Sequence, residues 1–238
     1  MPTFLVTGCQ GKVGRHVVKQ CIAAGIDVVG VDLVRGIYDA PEAGDPFPKV
    51  YIQADLQDAG AVYSTIARFK PDSVIHIAAI PDPTHNPPHV VFQTNMMATF
   101  NIVEACVRLG VPRLVNISSE QVPGFFASDR VVPGSGLPAY CPVDEAHPIA
   151  PQNPYALSKH FGEQLCDAAV RRTAGLSVVS IRPSWCQDEG NIERNLGPLV
   201  RDPAVPNEGM WSYICIPDLA DAIILAATAA TRVSGHEV

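Results

Sequence analysis

Tyr155 and Lys159 stand four residues apart in a segment, 155–173, whose apolar spacing predicts a helix. Both side chains therefore fall on one face, within mutual reach. An ammonium beside a phenol stabilises the tyrosinate and lowers the phenol's pKa, so that it exchanges a proton with a carbinol near neutral pH. Ser119 follows a strand predicted over 113–117 and can offer a hydroxyl to the same substrate oxygen. A tyrosine–lysine pair on a helix is common, and its spacing alone does not make it a catalytic site.

A second set of residues reads as a phosphate loop. Gly8, Gly11 and Gly14 form Gly-x-x-Gly-x-x-Gly between a strand at 4–6 and a helix at 13–24. Glycine at these points permits a tight turn, close backbone approach to a pyrophosphate and close packing of helix on sheet. The helix amino terminus adds unpaired N–H groups and a favourable dipole. Asp32 follows the second predicted strand, 27–31, where a carboxylate accepts both ribose hydroxyls of an adenosine and repels a 2′-phosphate. That favours NAD over NADP. Arg35 is the counter-signal, since it could pair with Asp32 or approach a phosphate.

Around these motifs, apolar strand runs alternate with helical patterns. Strands are expected at 4–6, 27–31, 49–53, 73–77, 113–117 and 177–181, with helices at 13–24, 59–69, 90–109 and 155–173 between them. Short strands apolar on both faces and separated by single helices predict an α/β fold with a parallel sheet covered on both sides. Ligands of such sheets bind beyond the carboxyl ends of the strands, which is where Ser118-Ser119 fall. Two stretches break the rhythm, the proline- and glycine-rich 122–154 and 183–207, the second with a short helix near 193–200. Both follow strands and could close over one cleft as a lid or substrate wall. A strand near 211–216 and a helix at 218–230 complete the pattern.

The formal net charge of -7, without long single-sign runs, argues against a nucleic-acid or acidic-membrane partner. A strand pattern beginning at Thr3 leaves no room for a signal peptide, and no apolar stretch reaches membrane-spanning length. Seven cysteines without close pairs or metal-ligand spacing read as reduced thiols, and a cytoplasmic setting is expected. His85, His89 and His147 form no metal constellation, and no metal is expected. His76, inside a strand, reads as a satisfied core histidine.

In order along the chain, Thr7-Gly8-x-x-Gly11-x-x-Gly14, Asp32, Ala54-Asp55-Leu56, His76-Ile77-Ala78-Ala79 and Asn95-x-x-x-Thr99-x-Asn101 open a larger pattern. It continues through Ile117-Ser118-Ser119-Glu120-Gln121-Val122-Pro123-Gly124, Pro142-Val143-Asp144-Glu145, Asn153-Pro154-Tyr155-Ala156-Leu157-Ser158-Lys159, Arg182-Pro183 and Tyr213-Ile214-x-x-Pro217-Asp218-Leu219-Ala220. On these motifs the chain resembles the extended short-chain dehydrogenase/reductases, the NAD-dependent epimerase/dehydratase group. The resemblance implies a Rossmann-type doubly wound parallel sheet with a small C-terminal substrate-binding lobe. Residues 1–182 would form the NAD-binding domain with the catalytic helix. Residues 183–238 would be mainly the lobe, with 211–230 returning to the core.

The resemblance also implies roles. Tyr155 would be the acid/base, Lys159 would lower its pKa and bind the nicotinamide ribose, and Ser119 would orient the reacting oxygen. Gly8, Gln10, Gly11, Lys12, Val13 and Gly14 would cradle the pyrophosphate, with Asp32 on the ribose. Asp55 and Leu56 would flank the adenine. Ala78, Ala79, Asn95, Ile117 and Pro183 would complete the cofactor contacts. Beside Ser119 and Tyr155, the substrate would meet Glu120, Gln121, Trp185, Arg194 and Asn195. Arg182 is either pocket wall or a buried hydrogen-bonding partner. Pro123 stands where the family usually has a tyrosine, which removes an aromatic hydroxyl there but leaves Ser119 intact. Members commonly dimerise through the two helices that here start near Val90 and Tyr155, so a homodimer is expected.

The shared residues serve several outcomes. The first expectation is an NAD-dependent dehydrogenase acting on a secondary alcohol of a small sugar, polyol or hydroxy acid. The alternatives are a sugar or nucleotide-sugar epimerase or dehydratase, and an NAD-binding sensor without turnover. Only 27 residues separate Pro183 from the Trp211 strand, short for gripping a nucleotide diphosphate, and this favours a small substrate.

Overall fold

The computed structural model describes residues 1–33, 47–81, 85–124, 138–202, 212–229 and 235–238. Arg35 and Trp211 lie outside them. The first half is built from β1 (Thr3–Thr7), α1 (Lys12–Ala23), β2 (Asp27–Asp32), β3 (Val50–Gln53), α2 (Ala59–Phe69), β4 (Ser73–His76), α3 (Pro88–Leu109) and β5 (Arg113–Ile117). Then come α4 (Pro154–Arg172), β6 (Ser177–Ile181), β7 (Trp185–Gln187), α5 (Ile192–Arg201), β8 (Tyr213–Cys215), α6 (Ile216–Thr228) and β9 (His236–Glu237).

The main sheet runs in the order β3-β2-β1-β4-β5-β6-β9, and each pairing in it is parallel. Helices cover both faces. Phe4, Val6, Ile75, Val115 and Ile117 pack with α1 and α6 on one side, while Leu5, Val74, Leu114 and Val178 pack with α2, α3 and α4 on the other. Alternate residues of one strand thus feed two cores, the physical reason that the strands read as continuous apolar runs. The chain reverses its winding between β1 and β4, which opens a crevice beyond their carboxyl ends.

Local signals set the helix ends. Asp58 caps α2, accepting from Gly60 N at 2.8 Å, and Asn153 caps α4, accepting from Ala156 N at 2.8 Å. Each such cap contributes about 1 kcal/mol. Pro88 and Pro154 occupy first turns, where a missing N–H costs nothing, and Gly110 ends α3 at φ +70°. Among the described residues, no helix is long and apolar enough to cross a membrane.

Two features differ from the expectation. Trp185–Gln187, expected to be irregular, is a strand that pairs in parallel with Tyr213–Cys215 as a separate two-stranded sheet. Three residues without apolar alternation carry no strand signal of their own; the partner strand supplies the hydrogen bonds. His236–Glu237 adds a further strand beside β6, fixed by His236 between Asp167 Oδ1 (2.7 Å) and Ser180 Oγ (2.8 Å).

His76 joins the central strands. Thr7 Oγ1 accepts from the N–H groups of Ile77 (3.1 Å) and Ala78 (3.3 Å), so its own proton points to His76 Nδ1 at 2.9 Å. Nδ1 is then the acceptor, and Nε2 donates to Thr99 Oγ1 at 3.1 Å. Burial, and secondarily the charge of Lys159, push the imidazole down to about 3. In the unfolded chain it titrates at about 6.5, so acid protonates the unfolded state first. The stabilisation is complete above about pH 6.5 and is lost as pH falls toward about 3. Urea midpoints of the parent should fall across this window, and His76→Gln should flatten the slope; equal slopes in both proteins would refute the assignment.

Candidate active site

The glycine loop begins where β1 ends. Gly8 adopts φ +69°, and a Cβ there would meet the Ala78 backbone nitrogen at 2.8 Å. A Cβ on Gly14 would stand 2.0 Å from the Gly8 carbonyl oxygen. Neither position admits a side chain, so the loop lies flat against the start of α1 and the end of β4. Gly11 precedes α1 without any side-chain cap, and the helix's first turn holds no acidic residue. Its leading N–H groups, those of Lys12 and Val13, are thus oriented for an anion with a helix dipole behind them. The Gln10 N–H is otherwise engaged, donating to Asp32 Oδ2 at 2.8 Å. Asp32 Oδ1 accepts from Leu33 N at 2.8 Å, which aims the carboxylate along the crevice rim from the end of β2. These features fit a dinucleotide: a side-chain-free cradle, an uncapped helix start and a carboxylate one strand away.

The flanking contacts fall on the same crevice. Asp55 is exposed and turns the chain after β3, accepting from Gln57 N at 2.9 Å. Leu56 is buried in the core beside Val31 and Ile102, and Asn101 holds its carbonyl at 2.8 Å. Ala78 and Ala79 follow β4, half-buried. Asn95 braces this segment, accepting from Ile80 N at 2.8 Å and donating to Ser158 Oγ at 3.2 Å. It therefore ties the crevice wall to α4.

At the end of β5 the structure brings Ser119, Tyr155 and Lys159 together, all less than a tenth exposed. The Ser119 hydroxyl stands close enough to the Tyr155 phenol to hold its pKa back, and it accepts from Gln121 N at 3.1 Å. Lys159 Nζ lies 5.8 Å from the centre of the Tyr155 ring and donates to the Ile117 carbonyl at 2.6 Å. Burial pushes the Tyr155 phenol up to about 12, Ser119 pulls it back, and Cys186 and Glu120 add to the rise. The Lys159 ammonium donates one of its three N–H groups to the Ile117 carbonyl, and is itself pushed by burial down to about 8, with Glu163 opposing the shift.

Glu120 is the second unusual acid. Its N–H donates to the Pro183 carbonyl at 3.1 Å. Burial raises its carboxyl to about 8, while the Ser212 hydroxyl and the Trp185 backbone hold it back. Its Oε2 is buried without a hydrogen-bond partner among the described residues. Glu120 thereby links the reactive strand end to β7 and to the residue before β8.

The remaining substrate candidates divide. Trp185 is 41% exposed at the start of β7. Gln121 Oε1 is engaged by Asn153 Nδ2 at 3.0 Å, across the start of α4. Asn195 Nδ2 donates to the buried Gln187 at 3.0 Å and so fastens α5 to β7, whereas Arg194 is exposed. Arg182 is a half-buried hydrogen-bonding partner: Nε and Nη2 each reach Glu163 at 2.8 Å. Glu163 and Gln187 were not among the candidates, and Ile117 was expected as a cofactor contact rather than as the acceptor of Lys159. The spacing of Glu163, four beyond Lys159, was the available signal for the first; Gln187 and a backbone acceptor carry none. Pro123 and Gly124 are described; of the long loop that follows, 125–137 lies outside the described residues and 138–153 is irregular.

A family model described as the NAD dependent epimerase/dehydratase family matches residues 4–195. UDP-glucose 4-epimerase 2 of Oryza sativa subsp. japonica is 29% identical over 259 aligned positions, covering 94% of this chain and 60% of the rice protein. The 3beta-hydroxysteroid-dehydrogenase/decarboxylase isoform 2 of Arabidopsis thaliana is 31% identical over 189 positions, covering 76% of this chain and 31% of its own. Among solved structures, the UDP-glucose 4-epimerase of Thermus thermophilus, in complex with NAD, matches with a TM-score of 0.73 at 26% identity. That match covers 99% of this chain and 76% of the other. The chain therefore spans less than two thirds of the rice relative's length.

Proposed function

The chain belongs to the NAD-dependent epimerase/dehydratase family, and from that premise we propose that it is an oxidoreductase moving hydride between NAD and a secondary alcohol or ketone of a small sugar, polyol or hydroxy acid. The observation that carries this reading is the convergence of three buried side chains at the end of β5, Ser119 beside Tyr155 with Lys159 one turn away on the same helix.

Lys12 and Val13 would offer N–H groups to the pyrophosphate, and Asp32 would accept the adenosine ribose hydroxyls. Asp55 and Leu56 would flank the adenine. Ala78, Ala79, Ile117 and Pro183 would line the path to Lys159, which would bind the nicotinamide ribose. When bound, the dinucleotide supplies the hydride acceptor or donor. The protein manages the proton. As the site stands, Tyr155 is protonated at neutral pH, the form that donates from its phenol to a substrate carbonyl. In the oxidative direction the carbinol proton passes to the tyrosinate oxygen, whose charge faces the Lys159 ammonium. Ser119 fixes the substrate oxygen by a hydrogen bond, and removal of bulk water strengthens each of these interactions.

Epimerisation of a sugar or nucleotide sugar is the second reading, favoured by the names of the relatives in rice and Thermus thermophilus. It uses the same residues, followed by return of the hydride to the other face of a retained ketone. The segment between β7 and β8 holds α5 as its described element, which favours the smaller substrate. The outer face of α3 and α4 exposes Met97, Phe100 and Phe161, and we assign it to contact between two copies.

A panel of uronic acids, sugars, polyols and nucleotide sugars, offered with NAD, separates the outcomes. Net NADH formation supports the first reading, and interconversion of stereoisomers without net NADH supports the second. Tyr155→Phe should lower either activity by about a thousandfold with the fold retained; undiminished turnover would remove the proton-transfer role. In sedimentation velocity the parent should run at twice its chain mass and a Phe100→Asp, Phe161→Asp variant at the chain mass, whereas a monomeric parent would remove the dimer assignment.

A further inference from the structure

Glu163 lies one turn beyond Lys159 on α4 and is 2% exposed. The proton transfer described above makes no use of it. Both carboxylate oxygens are nevertheless committed. Oε1 accepts the Ser118 hydroxyl at 2.5 Å and Arg182 Nε at 2.8 Å, and Oε2 accepts Arg182 Nη2 at 2.8 Å. Ser118 immediately precedes Ser119 in the chain. Arg182 follows β6 and precedes Pro183, whose carbonyl receives the Glu120 N–H. One carboxylate thus joins the helix bearing Tyr155 and Lys159 to the strand end bearing Ser119 and to the end of the neighbouring strand.

Charge gives the cluster a second consequence. Two cations, Lys159 and Arg182, are associated with one buried anion. The other titratable groups toward Lys159 are Tyr155 on its own helix and His76 on β4, whose imidazole is neutral; Glu120, beyond β5, acts on Tyr155. Among these groups Glu163 is the resident negative charge that favours the ammonium.

We propose that Glu163 is a positioning and charge-setting residue: it locks the Tyr155–Lys159 helix against Ser118 and Arg182, and it keeps the Lys159 ammonium protonated in a site that excludes water. The inference rests on the reading of Lys159 as the partner of Tyr155. Burial drives Lys159 down to about 8, and Glu163 is the influence that resists this. Neutralising Glu163 leaves Arg182 as an uncompensated cation in the same cluster, which pushes Lys159 lower still. Neutralising Arg182 frees the carboxylate to act on Lys159 alone, which pushes it higher. A bridge that only stabilises the fold predicts neither movement.

The test needs neither substrate nor turnover. The lysines are Lys12, Lys19, Lys49, Lys70 and Lys159, of which Lys159 is the buried one. The ε-carbon resonances of [13C]lysine-labelled protein, followed against pH, should show one midpoint at about 8 in the parent. In Glu163→Gln that midpoint should fall by about one unit or more, in Arg182→Gln it should rise, and in Glu163→Asp it should stay near the parent's. Unmoved midpoints in Glu163→Gln and Arg182→Gln, or movement of both in one direction, overturn the proposal. Should circular dichroism show Glu163→Gln unfolded, Arg182→Gln decides alone: a rise supports the proposal and no rise overturns it. A protein inactive on the whole panel that still shows these shifts would count against the oxidoreductase reading and leave the role of Glu163 standing.

Discussion

The Gly8 carbonyl oxygen lies 2.0 Å from where a Cβ of Gly14 would have to stand, and this contact governs the architecture of the crevice. It forces the turn after β1 flat, brings α1 in close over the sheet and leaves the helix start without a capping side chain. The Gly8 turn also touches the Ala78 backbone, so the loop spans the place where the sheet reverses its winding. Asp32 then completes the cradle by holding the Gln10 N–H. A helix dipole would meet the pyrophosphate of a dinucleotide, and a carboxylate would meet its ribose. Both depend on two residues having no side chain.

The opposite end of the crevice is organised by buried charge. Lys159 is placed among apolar strands with the Ile117 carbonyl as its acceptor, and Glu163, Arg182 and Ser118 are tied together one turn beyond it. Removing one partner of such a buried pair costs about 3–5 kcal/mol, because the charge left behind has no water to turn to. The cost of assembling these charges is offset by the cores on either side of the sheet, in which each fully buried Val, Leu or Ile contributes about 1.5–3 kcal/mol. In return the site gains a fixed geometry. Ser119 and Tyr155 meet on rigid elements, while Glu120 reaches the small β7–β8 sheet where Trp185 is exposed.

The parallel sheet was legible because strands buried on both faces must be apolar throughout, as Phe4-Leu5-Val6 and Ser73-Val74-Ile75 are. The end of α3 was legible from local chemistry, at Gly110. The β7 strand was not, since Trp185-Cys186-Gln187 owes its extended form to Tyr213–Cys215, remote in the chain. The identity of Ser119, Tyr155 and Lys159 as neighbours followed from spacing and resemblance, but the ionisation of Tyr155 did not. Its direction is set by burial, with Cys186 and Glu120 adding to it, and these surroundings are products of tertiary packing. Gln121 and Asn195 were read as substrate contacts, yet their side chains are engaged with Asn153 and Gln187, partners that only the folded chain supplies.

The glycine loop, the uncapped helix start and the Asp32 carboxylate together shape the crevice for NAD. Calorimetric titration of the parent protein with NAD and, separately, with NADP tests this most directly. One site per chain is expected for NAD, with NADP at least about tenfold weaker because its 2′-phosphate meets Asp32, a difference of about 1.4 kcal/mol or more. Equal affinity for the two dinucleotides, or binding of neither, would contradict it.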